Sequence, residues 1–170
     1  MTMAELTVID KDLCLNHNYK KMHCQICRSV CPGGCINEEL QVDDNCNQCG
    51  LCIAVCPAEA VAGQGYKNSS MKVWTEEPAP VAIRCRKNDS TSIWPCLGFL
   101  DSRVLLWAGS SNRSVIVDTT NCAGCKAGVL AHLETVIAEA NHIRQTLGQG
   151  EIIQGKAPAV RQDKSISRRA

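Results

Sequence analysis

The chain has 170 residues, 45% of them hydrophobic but only 4% aromatic, with thirteen cysteines and a formal net charge of +1. Its apolar runs are a few residues long, against the roughly 20 that a bilayer-crossing helix needs, so no membrane span is predicted and a soluble protein is expected. The opening MTMAELTVIDKD lacks the basic start and apolar core of an export signal; with an odd cysteine count and tight C-x2-C spacings, this favours metal ligation in a reducing, anaerobic cytoplasm over a disulfide scaffold.

Residues 1–66 hold nine of the cysteines, and the apolar runs Leu6 to Ile9 and Leu40 to Val42 read as brief strands among cysteine-bearing loops. This first unit carries four Lys and Arg against eight Asp and Glu, whereas residues 67–170 carry fourteen against nine. Thiolates would deepen the negative sign of the first unit, so a basic partner surface is expected and nucleic acid is not. The segment from Gly63 to Pro80 is rich in Gly, Ser and Pro, and 67–80 reads as a linker, with a strand placed at Met71 to Trp74. Beyond it the pattern becomes β-α-β-α: Val81 to Ile83, Phe99 to Ala108, Val115 to Val117, then Lys126 to Leu147. Val129, Leu130, Leu133, Val136, Ile137, Ala140, Ile143 and Leu147 follow helical spacing, and Gly148 supplies a stop. Strands separated by helices imply a parallel sheet over 81–148, and residues 149–170, with five Lys or Arg against two acids, read as a basic tail.

The run CNQCGLCIAVCP places Cys46, Cys49, Cys52 and Cys56 before Pro57 as C-x2-C-x2-C-x3-C-P, the ligand run of bacterial ferredoxins. Its first three cysteines can reach three corners of one cubane, while the fourth is expected to open a helix towards a second cluster. Upstream, Cys24, Cys27, Cys31 and Pro32 repeat the later part of the run, so this unit reads as an internal duplication. Where the regular pattern places one more cysteine, this chain has Lys21, and the nearest substitute is Cys14.

Residues 5–62 thus resemble a dicluster ferredoxin-like family whose first ligand is moved upstream by a short basic insertion. The resemblance implies two 4Fe-4S clusters, one on Cys14, Cys24, Cys27 and Cys56 and one on Cys31, Cys46, Cys49 and Cys52. Cys35 is left over, either replacing Cys14 or packing as a small hydrophobe, and packing is the expected use. His17 and His23 are expected to be exposed.

In the second unit Cys85, Cys96, Cys122 and Cys125 form C-x10-C-x25-C-x2-C. Their positions relative to the predicted strands put all four at the carboxyl end of the sheet, where open α/β folds bind ligands and where a helix N-terminus lowers a thiol pKa. Residues 80–147 resemble thioredoxin-like 2Fe-2S ferredoxins and, through Trp94 to Gly98 and Asn121 to Cys125, the delta subunit of methyl-viologen-reducing hydrogenases. That resemblance implies a 2Fe-2S cluster; zinc, a third 4Fe-4S cluster, a reactive dithiol at Cys122 and Cys125, or unligated thiols stay open. Core packing is the commoner use of an indole, and Trp74, Trp94 and Trp107 are given no functional role; His132 and His142 are placed on the solvated side of the last helix.

The expected architecture is an α+β dicluster domain followed by a small thioredoxin-like or flavodoxin-like α/β domain. The expected function is electron transfer without a bond-making site, as a subunit among redox proteins; the resemblance implies a hydrogenase or heterodisulfide-reductase-like complex. The alternatives are a thiol-disulfide oxidoreductase using Cys122 and Cys125, or a zinc-containing adaptor. The chain shows no phosphate-binding glycine loop, so a flavin or nicotinamide is expected only on partners.

Overall fold

A computed structural model describes residues 7–19, 21–63, 66 and 80–158. The predicted strand at Met71 to Trp74, almost all of the linker and the end of the basic tail lie outside the described residues.

The acidic unit is built from one-turn helices and loops hung on a two-stranded ribbon. Strand β1 (Thr7–Ile9) pairs antiparallel with β2 (Val61–Gly63), with Val8 opposite Ala62. Alternation along β1 buries Thr7 and exposes Val8. Between the strands lie α1 (Leu15–Asn18), α2 (Ile26–Val30) and α3 (Leu51–Ala54). The duplication inferred from the sequence is physical. A shift of 25 residues carries Cys24, Cys27 and Cys31 onto Cys49, Cys52 and Cys56, and it superimposes the start of α2 on that of α3.

Two details differ from expectation. The run Leu40 to Val42 forms only an isolated antiparallel bridge between Val42 and Ile36, because Leu40 adopts a φ of 62°, which breaks an extended strand. Strand β2 went unrecognised, since three residues of Val, Ala and Gly give no measurable alternation.

The second unit is a three-stranded parallel sheet in the order β3–β4–β5, formed by Val81–Ile83, Val115–Val117 and Ile152–Gln154. Val81, Ile83, Val115 and Val117 are fully buried, as befits a parallel sheet covered by helices. Helix α4 (Ser102–Ala108) starts on Asp101, whose carboxylate accepts the Val104 N–H at 2.8 Å. Helix α5 (Val129–Thr146) packs on α4 and ends where Gly148 takes a φ of 66°.

Strand β5 falls inside the segment read as a tail, so the sheet continues past residue 148. Two isoleucines flanked by glycines are too short a signal to distinguish a strand from an exposed end. The buried stripe of α5 also turns away from the predicted one near its end. Ile143 is exposed, Leu147 is 64% exposed, and Arg144 is buried completely. The guanidinium donates to the carbonyls of Gly109 (2.7 Å), Arg113 (3.1 Å) and Gly150 (2.5 Å), so hydrogen bonding outweighs side-chain polarity there.

One hydrophobic core joins the units. Cys49, Leu51 and Tyr66 from the acidic side pack in the same cluster as Phe99, Leu100, Val129 and the buried faces of the sheet. Tyr66 and Phe99 rings meet at 4.8 Å, Phe99 stacks on Trp94 at 4.9 Å, and Arg103 pairs with Glu59 at 3.2 Å. Among the described residues no helix is long and apolar enough to cross a membrane.

Candidate metal centres

The structure gathers the described cysteines into three neighbouring groups. Cys14, at the N-cap of α1, faces Cys24 and Cys27 at the start of α2, and Cys56, just beyond α3; all four line one recess with Ile9, Leu40 and Ala60. Burial pushes the Cys27 thiol up, and nearby Cys56, Cys14 and Cys24 push it further. Cys56 does not open a helix, contrary to expectation. It follows α3 and leads into a turn, because Pro57 has no N–H to continue the helical ladder.

Cys31, Cys46, Cys49 and Cys52 line a second recess. Gly50, at a φ of 84°, reverses the chain between Cys49 and Cys52 so that both sulfurs reach it. Cys52 is pushed up to about 12 by burial and then by Cys49, Cys46, Cys31 and Cys27. Cys27 and Cys56 pack against the small cluster of Ile36, Cys52 and Val61, so the two recesses are adjacent.

Cys35 belongs to this second recess, away from Cys14. The 25-residue repeat explains its use. The Cys35 N–H donates to the Cys31 sulfur at 3.3 Å, and the equivalent Ala60 N–H donates to the Cys56 sulfur at the same distance. Both residues are buried, so Cys35 occupies the place of a small apolar residue.

Cys85, Cys96 and Cys122 are buried and Cys125 is exposed. Cys85 follows β3 and the Cys122–Cys125 loop follows β4, which sets them beyond the carboxyl end of the sheet. Burial pushes the Cys122 thiol up to about 11, and Cys85, Cys96, Cys125 and Asp118 add to it. Expectation ran the other way, towards a lowered thiol pKa. Helix α5 starts only at Val129, so burial and crowding prevail over its dipole.

A polar frame that no sequence motif marks stands behind this third group. Asp118 accepts from Asn88 Nδ2 (2.8 Å), Thr120 N–H (3.1 Å) and Ala157 N–H (3.2 Å), and Asn121 Nδ2 donates to Asn88 Oδ1 at 2.9 Å. It ties the Cys85 loop to the Cys122 loop and to the chain after β5. Only the nearness of Asn88 to Cys85 and of Asn121 to Cys122 could have marked these residues. His17 and His23 are exposed, as expected, but His132 is half-buried with Nε2 2.8 Å from the Leu100 carbonyl.

The donor chemistry of all three groups suits iron–sulfur clusters. Crowded, buried thiols lose their protons only if a cationic centre compensates the thiolates, which iron supplies. The N–H groups aimed at the Cys31 and Cys56 sulfurs are of the kind that stabilises thiolate ligands. Among the described residues no three His, Cys, Asp or Glu side chains converge as ligands of one metal ion.

Over 54 residues the chain is 39% identical to a curated protein of Methanothermobacter marburgensis named pyruvate synthase subunit PorD. The match covers 31% of this chain and 58% of that relative, so the chain spans little more than half of the relative's length. No family model matches the chain. No solved structure matches it either. The thirteen cysteines and this relative together point to iron–sulfur clusters.

Proposed function

We propose that the chain is an iron–sulfur electron-transfer subunit of an oxidoreductase complex, relaying electrons through three centres in a row. The observation that carries this reading is the order of the thiol groups. The first lies beside the second where Cys27 and Cys56 pack against the cluster that holds Cys52, and the second lies beside the third where Cys49 and Cys96 share the buried core.

Cys14, Cys24, Cys27 and Cys56 hold one 4Fe-4S cluster; Cys31, Cys46, Cys49 and Cys52 hold another; Cys85, Cys96, Cys122 and Cys125 hold a 2Fe-2S cluster. Bound clusters supply reversible one-electron chemistry. The chain's own residues set its terms. Thiolates fix the centres, the Cys35 and Ala60 N–H groups stabilise added charge on two of the sulfurs, and the apolar walls of Ile9, Leu40 and Leu51 limit water. The exposed Cys125 marks the solvent-facing end of the row.

The partners are other subunits of the complex, and the likeness to a pyruvate synthase subunit supports subunit assembly of this kind. Resemblance of residues 80–147 to the hydrogenase delta subunit supports a hydrogenase or heterodisulfide-reductase-like setting. A reducing cytoplasm suits the thiol load.

Metal content of the anaerobically purified full chain tests the assignment. About ten irons and no zinc per chain is expected from two 4Fe-4S clusters and one 2Fe-2S cluster. About eight irons and one zinc would make the second unit a structural adaptor. A chain without iron would sink the reading.

A further inference from the structure

Lys126 stands one residue past Cys125, in the loop that carries the third thiol group into α5. Its ammonium crosses to the other unit. Nζ donates to the backbone carbonyls of Asn47 and Gln48, in the loop between Cys46 and Cys49. The Gln48 carbonyl also accepts the Tyr66 hydroxyl at 2.9 Å, so this loop is held from two sides. Cys49 and Cys96, one from each group, pack in the same buried cluster at this junction. The junction leaves no other room. A Cβ on Gly98 would lie 2.4 Å from the Cys49 carbonyl oxygen, and one on Gly50 would lie 2.8 Å from the Phe99 nitrogen.

We infer that Lys126 is a positioning residue shared by the second and third centres, fastening the Cys46–Cys49 loop to the Cys122–Cys125 loop and lending one positive charge to both. This rests on the relay reading and extends it. Reduction adds one negative charge to whichever centre receives the electron, and that electron leaves the neighbouring centre. A cation fixed between the two therefore favours the reduced form of each and keeps their potentials in step. The first centre, on the far side of Cys52, gains nothing from it.

The test is a redox titration followed by electron paramagnetic resonance on the full chain, comparing wild type with Lys126→Gln and Lys126→Arg. Gln keeps a donor for the two carbonyls and removes the charge. In Lys126→Gln the reduction equilibria of the second and third centres should both fall about tenfold, about 59 mV for a one-electron centre. The first centre, recognised as the signal lost in Cys24→Ser, should not move. Lys126→Arg should restore wild-type values. Unchanged potentials in Lys126→Gln, or a shift of only one of the two centres, would overturn the inference. Iron lost from Lys126→Gln but retained in Lys126→Arg supports a fastening that depends on the charge; loss from both overturns a role that any fixed cation can fill. A wild-type chain with no cluster signals would instead sink the relay reading itself, whereas wild-type signals that ignore Lys126 would sink only its role.

Discussion

Replacing Gly98 with alanine tests whether the two units are joined backbone to backbone at the second thiol group. The added Cβ would sit 2.4 Å from the Cys49 carbonyl oxygen and 3.3 Å from Val129 Cγ2. Overpacking costs about 1–3 kcal/mol when side chains can shift. Here the obstacle is main chain in a cysteine-bearing loop, so the upper end, about 3 kcal/mol, is expected. At about 2–4 °C per kcal/mol for a chain of this size, the midpoint of thermal unfolding should fall by about 6–12 °C. Gly150 is the control, because a Cβ there meets nothing within 4 Å. Gly150→Ala should change stability by no more than about 1 kcal/mol. The assay is anaerobic thermal unfolding of the metal-loaded full chain, followed by circular dichroism and by the visible absorbance of the clusters. A Gly98→Ala midpoint within about 2 °C of wild type would refute the close approach.

Cys35→Ala should keep the full iron content, since the equivalent position is Ala60, whereas Cys14→Ser should lose the first cluster; iron analysis of the two variants decides both. Arg144→Met leaves three buried carbonyls without their donor and should cost about 3 kcal/mol in chemical denaturation; a cost under about 0.5 kcal/mol would show that the guanidinium fork is dispensable. Burial alone would raise the Asp118 carboxyl, but hydrogen bonds from Thr120 and the Ala157 N–H, with the Arg84 charge, hold it below the usual carboxylate range. A carboxyl depressed on folding contributes stability above its unfolded pKa of about 3.9 and loses it as pH falls through the folded value. Acid unfolding between about pH 4 and pH 2 should therefore carry an Asp118 component that is absent from Asp118→Asn.

Covalent spacing made the cysteine groups legible in the sequence, and hydrophobic periodicity did the same for the parallel pairing of Val81–Ile83 with Val115–Val117. Both signals are local and repeat along the chain. The unrecognised features depend on distant contacts. Arg144 reads as a polar break in an apolar stripe, yet carbonyls from Gly109, Arg113 and Gly150 let it be as fully buried as Leu133 and Ala140. The place of Cys35 is set by its N–H bond to the Cys31 sulfur, which matches the Ala60 bond to Cys56 and is invisible in the spacing. Asp118 and Asn88 lie 30 residues apart in the chain, and no motif links them before the sheet does. The same holds at the junction, where Gly50 and Gly98 read as ordinary turn residues although the lack of a side chain lets the two units touch.

The central claim is that three iron–sulfur centres stand in a row within one folded body. Electron paramagnetic resonance of the anaerobic full chain during stepwise reduction tests it most directly. The account predicts signals from two 4Fe-4S centres and one 2Fe-2S centre, with the second 4Fe-4S signal broadened by magnetic interaction on both sides. Isolated, unbroadened signals, or the absence of any third paramagnetic centre, would contradict it.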